Sequence, residues 1–176
     1  MRICIGPRCG SVKAFLASWG AVLVAAFGVT VMAGAGMSLT VLDHWYYNLK
    51  KPSWQPPDWL FGPAWTLIFI GEVTAAVIGW HAITNFWVTT LFIILLLINA
   101  VLNILWSYFF FKLRRPDIAR KEVLFLWLSI AAPMLLLAVY AGKAWLYLLP
   151  YLLWVSFAAI LNDAIVRLNA PFGEAL

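Results

Sequence analysis

Residues 86–111 read FWVTTLFIILLLINAVLNILWSYFFF, a stretch without one charged side chain. An α-helix rises about 1.5 Å per residue, so roughly 20 apolar residues cross a hydrocarbon layer of about 30 Å. The stretch is continuously apolar and lacks the in–out alternation of a barrel strand. With no water in the bilayer to satisfy a bare backbone, it reads as a membrane-spanning helix. Working outward, four more stretches of the same kind flank it, 14–37 and 59–80 on one side and 118–140 and 144–168 on the other. The pattern predicts an all-α integral membrane protein, a five-transmembrane-helix bundle. It forms a single domain over 14–169, with a polar tail at 1–13, one long loop at 38–58 and a short tail at 170–176.

Composition points the same way. Of 176 residues, 65% are hydrophobic and 11% charged, against about 45–50% and about 25% in soluble domains. A soluble chain of this length cannot bury so much apolar surface, so the excess faces a lipid bilayer. The acids are Asp43, Asp58, Glu72, Asp117, Glu122, Asp163 and Glu174, accompanied by two histidines and two cysteines. This is thin material for acid–base or metal chemistry; most enzyme classes are disfavoured and no metal site is expected. Cys4 and Cys9 have no second pair and no nearby His to complete a zinc site. They read as incidental, with acylation of a juxtamembrane thiol as the alternative.

The net charge of +5 lies in short runs between apolar segments, where it orients a chain in the membrane and does not imply nucleic acid. Arg2, Arg8, Lys13 and Lys143 fall on one side of a five-helix chain. Lys50, Lys51, Lys112, Arg114, Arg115, Arg120, Lys121 and Arg167 fall on the other. The larger set predicts a cytoplasmic long loop and C-terminus, with the N-terminus outside. The first segment resembles a signal peptide in its basic start and its Ala33-Gly34-Ala35-Gly36 end, but its apolar run is longer than a typical h-region, so it is expected to be a retained helix. Ala17, Ala21 and Ala25 form a small-residue stripe suited to close helix approach.

The long loop carries Trp45-Tyr46-Tyr47-Asn48-Leu49-Lys50-Lys51-Pro52-Ser53-Trp54-Gln55-Pro56-Pro57-Asp58-Trp59. Three prolines predict a stiff, extended path that presents the aromatics as a lid. An interfacial aromatic belt is the plainer reading for Trp45, Tyr46 and Tyr47. Eleven tryptophans exceed what such a belt absorbs, and Trp65, Trp106 and Trp154 lie inside helices. An indole there suits either interhelical packing or stacking on a planar ligand.

Polar residues at membrane depth are costly and therefore informative. Asn99, Asn103 and Trp106 share a face of the third segment; Trp154, Ala158 and Asn162 form a stripe on the fifth. Turned inward, these stripes would enclose a pocket of indoles and amides, although interhelical hydrogen bonding alone accounts for the asparagines. Glu122 opens the fourth segment, where the helix dipole and Arg114, Arg115 or Lys121 are expected to compensate it. Glu72 has no basic neighbour on its helix and is protonated, paired across the bundle or in contact with ligand. His44 and His81 lie in a loop and at a helix end, which disfavours bis-histidine haem ligation.

Three blocks of sequence resemble the TspO/MBR family, the translocator or tryptophan-rich sensory proteins related to the peripheral-type benzodiazepine receptor. The first is Trp45-Tyr46-(x)2-Leu49-(x)1-Lys51-Pro52-(x)1-Trp54-(x)1-Pro56-Pro57, followed by Trp65. The second is Leu102-Asn103 with Trp106 and Phe109-Phe110-Phe111. The third is Leu149-Pro150-Tyr151-Leu152-(x)1-Trp154, running on to Ala158 and Leu161-Asn162. The resemblance covers about residues 45–169. It implies a five-helix, often dimeric receptor for porphyrins, haem-related tetrapyrroles and hydrophobic drugs, needing no other cofactor.

Carried over residue by residue, the implied ligand site is Tyr46, Trp65, Asn103, Trp106, Trp154, Ala158 and Asn162. Trp65 and Trp154 match the tryptophans associated with light-dependent porphyrin breakdown, and are the only catalytic candidates. Two features depart from the family. The run Leu161–Arg167 lacks the Tyr of the proposed cholesterol-recognition segment, so cholesterol binding is expected to be weak or absent and a bacterial-type protein of the cell membrane is favoured. The third segment has no Gly-(x)3-Gly to support a homodimer interface. The resulting expectation is a porphyrin-binding membrane protein acting in sensing, regulation or transport of tetrapyrroles. A light-dependent porphyrin-degrading enzyme, or a small transporter or partner subunit, is the alternative.

Overall fold

The computed structural model describes residues 11–172, with side chains described from residue 19. Cys4 and Cys9, and the small-residue position Ala17, lie outside the described side chains. The chain forms α1 (Ser11–Leu39), a short α2 (His44–Asn48), α3 (Phe61–Ala82), α4 (Phe86–Ser107), α5 (Pro116–Tyr140) and α6 (Leu149–Asn169), and no strand occurs among the described residues. All but α2 are long and apolar enough to cross a membrane. The protein is a five-helix membrane bundle, in which α4 packs on α5, α5 on α6, and α1 against α3 and α4. Large side chains such as Phe27, Leu67, Leu135, Val139 and Leu153 are exposed on the outside of the bundle, where lipid solvates them at no cost.

Local sequence sets where each crossing starts and stops. Asn85 caps α4, its side-chain oxygen accepting from the N–H groups of Trp87 (3.0 Å) and Val88 (3.2 Å). The far end of α4 widens into a π-turn over Tyr108–Lys112 that buries Phe110. Arg114, at a left-handed φ of 54°, then turns the chain back, and Pro116 starts α5 in the position where a missing N–H costs nothing. The fifth crossing opens with 3-10 turns over Gly142–Tyr147 and becomes α-helical at Leu149, where Pro150 sits in the first turn.

The loop between α1 and α3 departs from the extended path expected of its prolines. Trp45, Tyr46 and Tyr47 lie on α2, one helical turn capped by Asp43, whose carboxylate accepts from the Tyr46 N–H at 3.2 Å. The prolines begin only at Pro52, beyond the turn, and so cannot forbid it. The small-residue stripe on α1 also works differently from expectation. A Cβ at Gly36 would come to 3.8 Å from Ser107 Oγ, whereas at Gly20 and Gly28 it would meet nothing within 4 Å. Helix α1 therefore touches α4 near the lid and stands away from the bundle over its other half, where Ala21 and Ala25 face a cavity.

Two glycines of α3 sit in close contact with neighbouring segments. A Cβ on Gly71 would overlap the Tyr147 carbonyl oxygen, and one on Gly79 would come to 2.6 Å from the Phe92 ring. The first obstacle is backbone and cannot rotate aside. Gly71→Ala should therefore destabilise the bundle by about 1–3 kcal/mol, as overpacked cores do, and lower the thermal midpoint in detergent. An Ala substitution at Gly62, where the added carbon meets nothing, is the matched control.

Candidate ligand pocket

Beneath α2 the lid-side halves of α1, α3, α4, α5 and α6 enclose a cavity of about 490 Å3. Such a volume falls in the range of small-molecule sites, roughly 300–1,000 Å3. Six of the seven residues that the resemblance assigns to ligand binding line it: Tyr46 from the lid, Trp65 from α3, Asn103 and Trp106 from α4, and Trp154 and Ala158 from α6.

The aromatic walls are braced from behind. Trp106 stacks on Phe110 (5.2 Å between centroids, 26° between planes), Trp65 meets Tyr151 edge-on at 5.9 Å, and Trp154 meets Phe61 edge-on at 5.4 Å. Rings fixed in this way present their faces at little further entropic cost. The Trp106 indole N–H is buried without a protein partner.

Asn103 belongs to a polar chain that fixes the depth of the pocket. Its amide donates to the Tyr151 hydroxyl (2.7 Å), which donates to Asn99 Oδ1 (3.3 Å); the Asn99 amide donates to Ser129 Oγ (2.9 Å), which donates to the Leu126 carbonyl (2.7 Å). All four side chains are buried. The interhelical role expected of the asparagines is thus present, and in Asn103 it coincides with a place in the pocket wall.

Asn162 departs from the expected set. It is fully buried, one turn past Ala158, and its amide donates to the Pro116 carbonyl (3.0 Å) and accepts from the Arg120 N–H (2.9 Å). These are backbone groups of the first turn of α5, so Asn162 ties α6 to α5 and does not line the cavity. Glu122 also differs from expectation. Neither of its oxygens has a hydrogen-bond partner among the described residues: Arg114 pairs with Asp43 (2.7 Å) and Arg115 with Asp117 (2.7 Å), and Lys121, the third cation expected there, makes no hydrogen bond to it.

Several lining residues escaped the sequence reading. Helix α1 supplies Ala33, Gly36, Met37 and Thr40, and Phe111 enters from the π-turn. Ala33, Gly36 and Phe111 stand in stretches the sequence marks for other reasons, but nothing in an apolar α1 or in a π-turn marks them as facing a pocket. Asp58 was visible as an acid after Pro56-Pro57, but its partner was not. It accepts from the Tyr46 hydroxyl at 3.0 Å, while Gln55 donates to the same hydroxyl at 3.3 Å. Burial and the Asp58 hydrogen bond push the Tyr46 hydroxyl well above the usual phenol range, so it stays protonated and donates.

The lid is tied down at both ends. Asp43 pairs with Arg114. Partial desolvation works against its charge, yet the Tyr46 N–H and the Arg114 guanidinium hold its carboxyl below the usual range. At the other end Asn169 of α6 accepts from the Lys50 N–H and donates to the Lys50 carbonyl, both at 2.8 Å. Between them the Lys51 ammonium sits 3.6 Å from the centre of the Tyr46 ring.

A sequence model described as the TspO/MBR family matches residues 20–168 of the chain. The chain belongs to the TspO/MBR family. Among its relatives is "Tryptophan-rich protein TspO" of Chlorobaculum tepidum, 43% identical over 128 residues, covering 71% of this chain and 80% of that protein. "Tryptophan-rich sensory protein" of Cereibacter sphaeroides is 34% identical over 86% of this chain and 92% of its own length. The human "Translocator protein" is 29% identical over 71% of this chain and 75% of its own. The match includes most of α1, which lies outside the 45–169 span of the motif resemblance.

Removing the Asn169 side chain frees both backbone groups of Lys50 while leaving the pocket walls untouched. In Asn169→Ala, amide hydrogen exchange at Lys50 and its neighbours should quicken by roughly tenfold, as expected for the loss of two exposed hydrogen bonds. Exchange within α4 and α5 should stay at the parent rate, as measured by mass spectrometry in lipid nanodiscs.

Proposed function

We propose that the lid pocket binds a porphyrin or related tetrapyrrole, and that the protein senses, regulates or transports such molecules in a bacterial cell membrane. The observation that carries this reading is the convergence of Trp65, Trp106 and Trp154 on one cavity of about 490 Å3 with a single buried amide, Asn103, in its wall. Indole faces suit a flat macrocycle, and an apolar cavity that opens under a lid suits a ligand poorly soluble in water. Membership of a family whose relatives are named as sensory and translocator proteins supports the same reading.

In the orientation we propose, the lid end faces the cytoplasm and the N-terminus lies outside. Among the described residues, that end carries Lys50, Lys51, Lys112, Arg114, Arg115, Arg120, Lys121 and Arg167, while Lys143 lies at the other. Strong labelling of a cysteine placed at Ser53 by an impermeant reagent outside intact cells would reverse this assignment.

A second reading has its own support: Trp65 and Trp154, the two oxidisable indoles matched to porphyrin breakdown, both line the pocket. One titration with protoporphyrin IX, in the dark and then under light, separates binding from turnover. Ala158 lies one turn beyond Trp154 and its small side chain leaves space in the cavity, so Ala158→Phe should weaken dark binding by more than tenfold. Unchanged affinity in folded protein would remove the pocket from the reading. Phe at Trp65 or Trp154 keeps a flat apolar face, so dark affinity should change by about tenfold at most. Light-dependent loss of porphyrin absorbance should fall much further; a parent rate in both variants would leave binding alone.

A further inference from the structure

A second cavity, of about 570 Å3, lies in the opposite half of the bundle between α1, α3 and α4. It exists because α1 stands away from its neighbours at Gly20 and Gly28, where an added carbon would meet nothing. Met32 of α1 lines it, whereas the next residue, Ala33, lines the lid pocket. On α3 the same division falls between Phe69 of the lid pocket and Glu72 of the second. The two cavities are therefore stacked along the bundle.

The second cavity is almost wholly apolar, with one acid in its wall. Glu72 stands halfway along α3, is 5% exposed, and its Oε2 has no hydrogen-bond partner in the protein. The nearby polar side chains Asn99, Asn103, Ser129 and Tyr151 are engaged with one another. Every described lysine and arginine lies toward the two ends of the bundle: the lid end and Lys143. Glu72 is thus a carboxyl at mid-membrane depth, without a counter-ion among the described residues and facing an apolar chamber. From it, α3 runs two turns, about 12 Å, to Trp80 and His81, which also line the chamber.

We propose that this cavity is a binding site for a lipophilic amine, an apolar chain or ring system bearing one ammonium group that pairs with Glu72. The charge complementarity selects the headgroup. An ammonium gives the buried carboxylate a charge-assisted hydrogen bond that no protein group supplies, while a hydrocarbon tail gives it nothing. The apolar walls exclude a bulky zwitterionic headgroup. The span of about 12 Å from Glu72 to Trp80 fits an extended chain of roughly ten carbons entering from the membrane face opposite the lid.

The test is photolabelling of the full chain in lipid nanodiscs with a diazirine-bearing decylamine, compared with the corresponding decanol, and peptide mapping of the products. Saturable labelling by the amine is expected on the α1 and α4 segments around Ala25 and Ile93. It should fall at least tenfold in Glu72→Gln, which keeps the shape and removes the charge, while dark binding of protoporphyrin IX stays at the parent level. Ala76→Trp fills the chamber with Glu72 intact and should abolish labelling equally, so it decides the matter if Glu72→Gln does not fold. Ala158→Phe, in the other cavity, should leave amine labelling as in the parent. Equal labelling by the alcohol, undiminished labelling in Glu72→Gln or Ala76→Trp, or labels spread evenly over the lipid-facing surface would overturn the proposal.

Discussion

The Tyr151 hydroxyl holds the centre of this bundle. In hydrocarbon no water relieves an unmade hydrogen bond, so each polar group at depth must find its partner in the protein. Tyr151 receives one from Asn103 and gives one to Asn99, and the chain runs on through Ser129 to a backbone carbonyl. Every donor points the same way along that chain, an arrangement in which each bond polarises the next. Three helices, α4, α5 and α6, are thereby fixed in register at a level where apolar packing alone would let them slide.

Both cavities depend on that register. The lid pocket lies on one side of the Asn103 level, with its indoles braced by Phe110, Tyr151 and Phe61. The second lies on the other side, bounded by Phe92 to Ala100 of α4. Helix α1 makes the difference between them. Close to α4 at Gly36 and distant at Gly20 and Gly28, it seals the lid pocket and leaves the other chamber broad. Ala21 and Ala25, which their spacing marks as a packing stripe, line that empty space instead, because a small residue permits contact but does not compel it.

The lid follows a similar logic at the membrane surface. One helical turn capped by Asp43 points Tyr46 inward, and the Asp58 carboxylate and Gln55 amide hold its hydroxyl. Ion pairing to Arg114 and the two-way hydrogen bond between Asn169 and Lys50 attach the segment to α6 and to the α4–α5 turn. These ties are exposed and individually weak, so the segment is held by contacts that can be broken at little cost.

The sequence by itself determined the class and the five crossings, and its resemblance to a known family implied six members of the pocket wall. The crossings rest on the length of an apolar run against bilayer thickness, and the wall residues on the motifs that carry the resemblance, such as Trp65, Asn103 and Trp154, both of which survive without tertiary contacts. What only the tertiary structure decided were the partners. Spacing put Asn162 on the stripe of Trp154 and Ala158, but the crossing of α5 over α6 brought the first turn of α5 against it and turned its amide to that backbone. Charge counting gave Glu122 a choice of three cations; the folded chain gave Arg114 and Arg115 to other acids and brought no hydrogen bond to Glu122 from the third, Lys121. Glu72 and Trp65 share a face of α3, yet two turns of helix place them in different chambers. Periodicity along one helix fixes direction, whereas a partner depends on the distance and tilt of a second helix, and those are set by packing across the whole bundle.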